Sequence, residues 1–177
     1  MKVVGFAGSS GAGKTTLVEQ LIPRLRTQGL RVSVVKHAHC GLETDQPGKD
    51  TWRHREAGAY EVLAVSPERM VLQRSFEQPQ ERSVHQVLPA LHPGVDWVLV
   101  EGWRDSNLHK IEVWRAAVGK PVRYPDDPFI VAIALPGGEA LPEDTLRPRL
   151  DLDDPDAVAA WLVDNGHRFD YDPDAFL

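Results

Sequence analysis

Gly8-Ser9-Ser10-Gly11-Ala12-Gly13-Lys14-Thr15-Thr16 is the stretch whose reading decides the fold. It fits G-x-x-x-x-G-K-[ST], the phosphate-binding loop, a pattern that means something only between a strand and a helix. Both flanks agree. Lys2-Val3-Val4-Gly5-Phe6-Ala7 is short and apolar, as a buried strand is. Thr16 to Gly29 reads as a helix, with Leu17, Leu21, Ile22 and Leu25 at helical spacing. Pro23 within it either kinks the helix or caps a turn.

The spacing has a chemical reason. Glycines let the chain turn tightly and present backbone N–H groups with no Cβ in the way. Those groups form an electropositive nest for an anion. The next helix adds its unpaired amides and the positive end of its dipole. Lys14 brings a point charge to β- and γ-phosphate oxygens, the Thr15 hydroxyl suits Mg²⁺, and Thr16 suits a phosphate nearer the sugar. The candidate nucleotide-binding set is Gly8, Ser10, Gly11, Ala12, Gly13, Lys14, Thr15 and Thr16.

Working outward, Leu30 to His37 is a second strand, so the opening is a right-handed β-α-β unit and the sheet is parallel. Ala38 to Gly48 is loop-like, and a short polar helix starts near Asp50. Two short strands, Glu61–Val65 and Arg69–Gln73, flank Ser66-Pro67-Glu68 and read as an additional antiparallel hairpin. A helix over Arg82–Leu91 follows, then a buried strand over Asp96–Glu101 and a two-faced strand over Lys110–Arg115. Phe129–Leu135 is apolar, Arg147–Leu152 suits an edge strand, and Asp154 caps a closing helix that ends by Gly166. The expectation is a three-layer α/β phosphate-loop NTPase fold in one domain spanning residues 1–177.

Composition narrows the class. The chain has 177 residues, 42% of them apolar, and a net charge of −6, with no long basic run to meet a nucleic acid. One cysteine, Cys40, excludes an internal disulfide and favours a reducing compartment. No signal peptide and no bilayer-length apolar run is read, so a cytoplasmic location is expected.

Mg²⁺ beside phosphates takes one or two carboxylates. Val98-Leu99-Val100-Glu101-Gly102 supplies one at the end of a buried strand. Thr15 and Glu101 are therefore the metal pair, and Lys14 and Glu101 the catalytic pair. Asp45 and Asp50 lie where phosphate-loop switches sense the γ-phosphate or its metal, or else are a loop acid and a helix cap. Lys49, Arg53, His54 and Arg55 either bind a phosphate of a second ligand or form a solvated helix face. His37, His39 and Cys40 invite a metal reading but lack the partners of a transition-metal motif. Trp103, Trp114 and Tyr124 are candidates for a subunit contact or for ordinary burial.

Several stretches together resemble one family. They are Gly8 to Thr16, Val35-Lys36-His37-Ala38-His39, Asp45 to Ala59, Val98 to Trp103 and Lys110-Ile111-Glu112-Val113. The family is the molybdopterin-guanine dinucleotide biosynthesis adaptor proteins, MobB. Its specific part is the Pro-Gly-Lys-Asp-x-x-Arg-His-x-x-Ala-Gly stretch from Pro47. The resemblance implies GTP binding with Mg²⁺, weak GTPase activity and a homodimer. It implies partnership with the molybdenum cofactor guanylyltransferase, with molybdopterin and molybdoenzyme apoproteins as further candidate partners. It makes Asp45, Lys49, Asp50 and Arg53 candidates for a switch or for contact with the pterin. No Asn-Lys-x-Asp stands in the chain to read guanine, so the residues alone support only Mg²⁺–nucleoside triphosphate. A small-molecule kinase and a nickel- or cobalt-delivery GTPase are the alternatives that the same loop allows.

Overall fold

Val3, Val4, Phe6 and Ala7 leave the first strand no polar face, which suits a strand covered on both sides. In the computed structural model, which describes residues 1–38 and 41–176, eight strands form. They are β1 (Lys2–Ala7), β2 (Val32–Lys36), β3 (Glu61–Val65), β4 (Met70–Arg74), β5 (Trp97–Glu101), β6 (Lys110–Val113), β7 (Ile130–Leu135) and β8 (Arg149–Asp151). Six make one sheet in the order β2-β5-β1-β6-β7-β8, and every neighbouring pair is parallel. β3 and β4 pair antiparallel in a sheet of their own. The chain divides into two compact units, Met1–His37 with Ser83–Leu177, and Ala38–Arg82. The expected α/β architecture with its added hairpin is the one observed.

In the first unit, side chains alternate across the sheet. Val4, Phe6, Trp97 and Leu99 face helices α1 (Lys14–Thr27) and α4 (Pro155–Asp164), together with Phe169. Val3, Val98 and Val100 face the short helix α3 (Val84–Val87) and Leu108. This is the three-layer packing in which both faces of a parallel sheet are buried. Asp154 caps α4, its carboxylate accepting from the Ala157 N–H at 3.0 Å.

Several element boundaries differ from the expectation. α1 starts at Lys14, with Gly13 as its left-handed cap, and runs through Pro23 unbroken. The helix expected over Arg82–Leu91 keeps only one α turn. Ser83 and Gln86 close a capping box, but Pro89 has no N–H to donate, and Leu88–Ala90 tightens into a 3₁₀ turn. β6 has the two different faces expected, Ile111 and Val113 in the apolar cluster and Lys110 and Glu112 on the other side, and all four residues are buried. The Lys110 ammonium lies 2.8 Å from Asp127 Oδ2 and donates to the carbonyls of Arg104 and Ser106. A charge survives in an interior only with such partners.

In the second unit, α2 (Asp50–Glu56) precedes β3 and begins at the expected residue. The Thr51 hydroxyl donates to Asp45 Oδ1 at 2.8 Å, which fixes the loop before the helix. β3 and β4 carry an in-register apolar face, Leu63 opposite Leu72 and Val65 opposite Met70, and all four side chains are exposed.

Gly8 follows β1 at φ +135°, and a Cβ there would sit 2.2 Å from the Val113 carbonyl oxygen of β6. Gly11 has a positive φ but open space around it. Gly8→Ala is therefore expected to cost about 3 kcal/mol of stability and Gly11→Ala about 1 kcal/mol. Urea unfolding compares them, and equal midpoints would contradict the close approach at Gly8.

Candidate functional site

Parallel pairing brings the carboxyl ends of β2, β5, β1 and β6 to one edge of the sheet, where ligands of such sheets collect. The loop from Gly8 to Gly13 leaves β1 there and passes into α1. The Lys14 ammonium donates to the carbonyls of Gly8 and Ser9, both at 2.8 Å. It is folded back over the loop and keeps one donor for a ligand. Burial pulls its pKa below the ordinary lysine value, and the nearby Glu101 carboxylate opposes that shift.

Glu101 is the last residue of β5 and is buried. Its Oε1 accepts from the Thr15 hydroxyl at 2.6 Å and lies 3.7 Å from the Lys36 ammonium. Lys36 is its register partner at the end of β2. Thr15 donates to Glu101, so the lone pairs of its hydroxyl remain for a metal. A hydroxyl and a carboxylate beside a phosphate nest are hard oxygen donors of the kind Mg²⁺ prefers, so the residues fit that ion. Immediately after Glu101, Gly102 and Trp103 both take positive φ, +104° and +43°. Such backbone is uncommon for a tryptophan and concentrates at functional loops. Trp103 stacks on His37, with ring centroids 4.7 Å apart.

On the other flank of β1, Arg115 follows β6 and its Nε donates to the Ala12 carbonyl at 3.0 Å. Sequence reading took Arg115 only as the end of a strand. The available signal was its position: a basic residue just past the carboxyl end of a strand that neighbours the glycine loop.

A profile for "Molybdopterin guanine dinucleotide synthesis protein B", MobB, matches residues 3–136. This chain belongs to the MobB family. It is 34% identical over 168 residues to the molybdopterin-guanine dinucleotide biosynthesis adapter protein of Haemophilus influenzae, covering 94% of this chain and 90% of that one. Against the Escherichia coli protein of the same description, identity is 30% over 164 residues, covering 92% and 91%. The solved structure of Bacillus subtilis MobB superposes with a TM-score of 0.72 at 20% identity, over 97% of this chain and 100% of that one, which shows a shared fold.

In this MobB-family chain the structure places Gly8, Ser10, Gly11, Ala12, Gly13, Lys14, Thr15 and Thr16 around one turn, and it brings Glu101 to Thr15. Asp45, Lys49, Asp50 and Arg53 belong to the second unit, where Lys49 precedes α2 and Asp50 opens it. Among the described residues no group of three or more His, Cys, Asp or Glu is arranged to hold a metal ion, while His39 and Cys40 lie outside the described residues. No helix among the described residues is long and apolar enough to cross a membrane. Tyr124 is core, with its hydroxyl donating to the Glu143 carbonyl.

Glu112, also in β6, accepts from the backbone N–H groups of Arg123 and Tyr124 at 2.8 and 2.9 Å. Burial raises its pKa above the usual 4.5, and those two bonds only partly offset this. The folded state therefore holds the proton to higher pH than the unfolded chain does. Stability from this group is greatest below about 4.5 and declines as pH rises through the folded value. The stability of wild type relative to Glu112→Gln is expected to fall as pH is raised from 4 to 7, read by denaturant unfolding at each pH. A pH-independent difference would contradict the assignment.

Proposed function

We propose that this chain is a GTP-binding adapter of molybdopterin-guanine dinucleotide biosynthesis that uses Mg²⁺ and hydrolyses GTP slowly. The observation that carries this reading is the 2.6 Å bond from Thr15, at the start of α1, to Glu101, at the end of β5. It closes a phosphate nest with a hard-oxygen pair. The adapter role rests on the family and on relatives matched over nine-tenths of their length.

In this reading the backbone amides of Gly11 to Thr15 and the amino end of α1 hold the β-phosphate. Lys14 exchanges a loop carbonyl for a phosphate oxygen and offsets charge at the β–γ bridge. Thr15 and Glu101 would hold Mg²⁺, which when bound would supply charge stabilisation to the phosphates. Lys14 and Arg115 bond to the loop through their side chains, and neither is a glutamine that would orient a water. Slow turnover suits an adapter whose partner, in the cytoplasm, is the guanylyltransferase that joins GMP to molybdopterin.

The second unit supports a homodimer. A two-stranded hairpin is marginal alone, and an exposed apolar face of this kind marks an interaction surface. Leu63, Val65, Met70 and Leu72 supply that face, and a second copy of the chain is the occupant proposed.

Calorimetry with GTP and Mg²⁺ tests the nucleotide reading. Lys14→Ala is expected to lower affinity at least a hundredfold with the circular dichroism unchanged. Glu101→Gln is expected to remove the Mg²⁺ dependence of binding while leaving metal-free affinity nearly intact. Unchanged GTP affinity in Lys14→Ala, or turnover by the wild type at the rate of an efficient ATPase, would refute the reading. Sedimentation tests the dimer: Leu63→Glu with Leu72→Glu is expected to give monomers that still bind GTP.

A further inference from the structure

The chain has no Asn-Lys-x-Asp, so a GTP-binding reading leaves the base unexplained. The first unit has a shallow, open cleft directly beside the phosphate loop, on the flank away from Glu101. Gly8, Ser9 and Ala12 line its loop side, while Trp114, Arg115 and Lys120 line the side that follows β6. Its walls are held in place. The indole N–H of Trp114 donates to the Lys120 carbonyl at 2.9 Å, and Arg115 is tied to Ala12.

The direction of that tie matters. The Ala12 carbonyl and the Gly13 N–H belong to one planar peptide and point opposite ways. In the nucleotide reading the Gly13 N–H faces the nest, so Arg115, bonded to the carbonyl, stands outside it. Its Nε is committed, and the guanidinium packs against Gly13, with Nε and Nη2 at 3.5 and 3.6 Å from where a Cβ would be. A guanidinium has five N–H donors, so four remain on its terminal nitrogens, beside the cleft. The metal pair lies on the β5 flank. A triphosphate held there by its β- and γ-groups carries its nucleoside out past the opposite, β6 flank, which is where Arg115 stands.

We infer that Arg115 is the guanine-selecting residue of this site, its terminal nitrogens donating to O6 and N7 of the base. This rests on the nucleotide reading above. Guanine presents two adjacent acceptors on that edge, which a guanidinium meets with two parallel donors. Adenine presents one acceptor and one donor there, so the second contact sets donor against donor. Arg115 thus does two things. Nε braces the loop from behind, and the remaining donors read the base, so selectivity is built on the same side chain that shapes the phosphate nest.

The test is calorimetry on the full chain with Mg²⁺ and five probes: GTP, ITP, 7-deaza-GTP, ATP and inorganic tripolyphosphate. Wild type is expected to bind ITP as well as GTP, because both keep O6 and N7. ATP is expected to bind about tenfold to hundredfold more weakly, and 7-deaza-GTP to fall between. Arg115→Met is expected to lower ATP and tripolyphosphate affinity by one common factor, through loss of the brace on Ala12, and to lower GTP, ITP and 7-deaza-GTP further, to the affinity the variant has for ATP. An equal fall in all five ligands, with GTP still preferred over ATP, would mean that Arg115 only braces the loop, and the inference fails. Equal GTP and ATP binding by wild type overturns it too, as does ITP binding as weakly as ATP, which would place recognition on the 2-amino group. If Arg115→Met does not fold, the wild-type series with ITP and 7-deaza-GTP decides alone. Absence of any binding, tripolyphosphate included, would instead refute the nucleotide site itself.

Discussion

Thr15 and Glu101 meet across 86 residues because β1 and β5 pair in parallel, with Phe6 opposite Glu101. That register is the constraint on which the site depends. A slip of one residue would turn Glu101 to the other face of the sheet and point an apolar side chain at Thr15. The register is held by packing: Val98 and Val100 face one layer and Trp97 and Leu99 the other, so a shifted arrangement would present each layer with side chains of the wrong size. A buried carboxylate without partners is costly, and here the Thr15 hydroxyl and the Lys36 ammonium meet it.

The same logic extends one strand further. β6 buries two ionisable side chains, Lys110 at its amino end and Glu112 nearer its carboxyl end, and each gathers a neighbouring loop. Lys110 gathers Asp127 and the carbonyls of Arg104 and Ser106, which follow the Glu101 strand. Glu112 gathers the amides of Arg123 and Tyr124. Breaking a buried ion pair such as Lys110–Asp127 typically costs about 3–5 kcal/mol, far more than a surface pair. These loops are therefore anchored to the core by buried polar groups, while the sheet itself is anchored by apolar packing. The β3–β4 hairpin contrasts with both, since its apolar face is exposed.

What a short motif declares and what distant residues decide can be separated residue by residue. The glycine loop, its flanking strand and helix, the parallel sheet and Glu101 were all legible in the chain, because each is a local pattern governed by backbone freedom or by the spacing of apolar residues. Local patterning also located α2 at Asp50, the hairpin strands and the Asp154 cap. It left the burial of β6 open, where alternating charged and apolar residues read as a strand with two different faces. Only the partners of Lys110 and Glu112, supplied by segments further along the chain, make that strand buried. It also overextended the helix at Arg82–Leu91, where one missing N–H at Pro89 outweighs apolar periodicity.

The sequence by itself therefore determined the class of fold and the glycine turn between β1 and α1, since a nest of amides followed by a helix needs only a few adjacent residues of the right types. The tertiary structure alone decided which side chains surround that nest. Arg115 reaches Ala12 across 103 residues, and no periodicity or spacing encodes such a contact. It exists because β6 lies beside β1 in the sheet, an adjacency set by how apolar faces stack rather than by anything written near either residue.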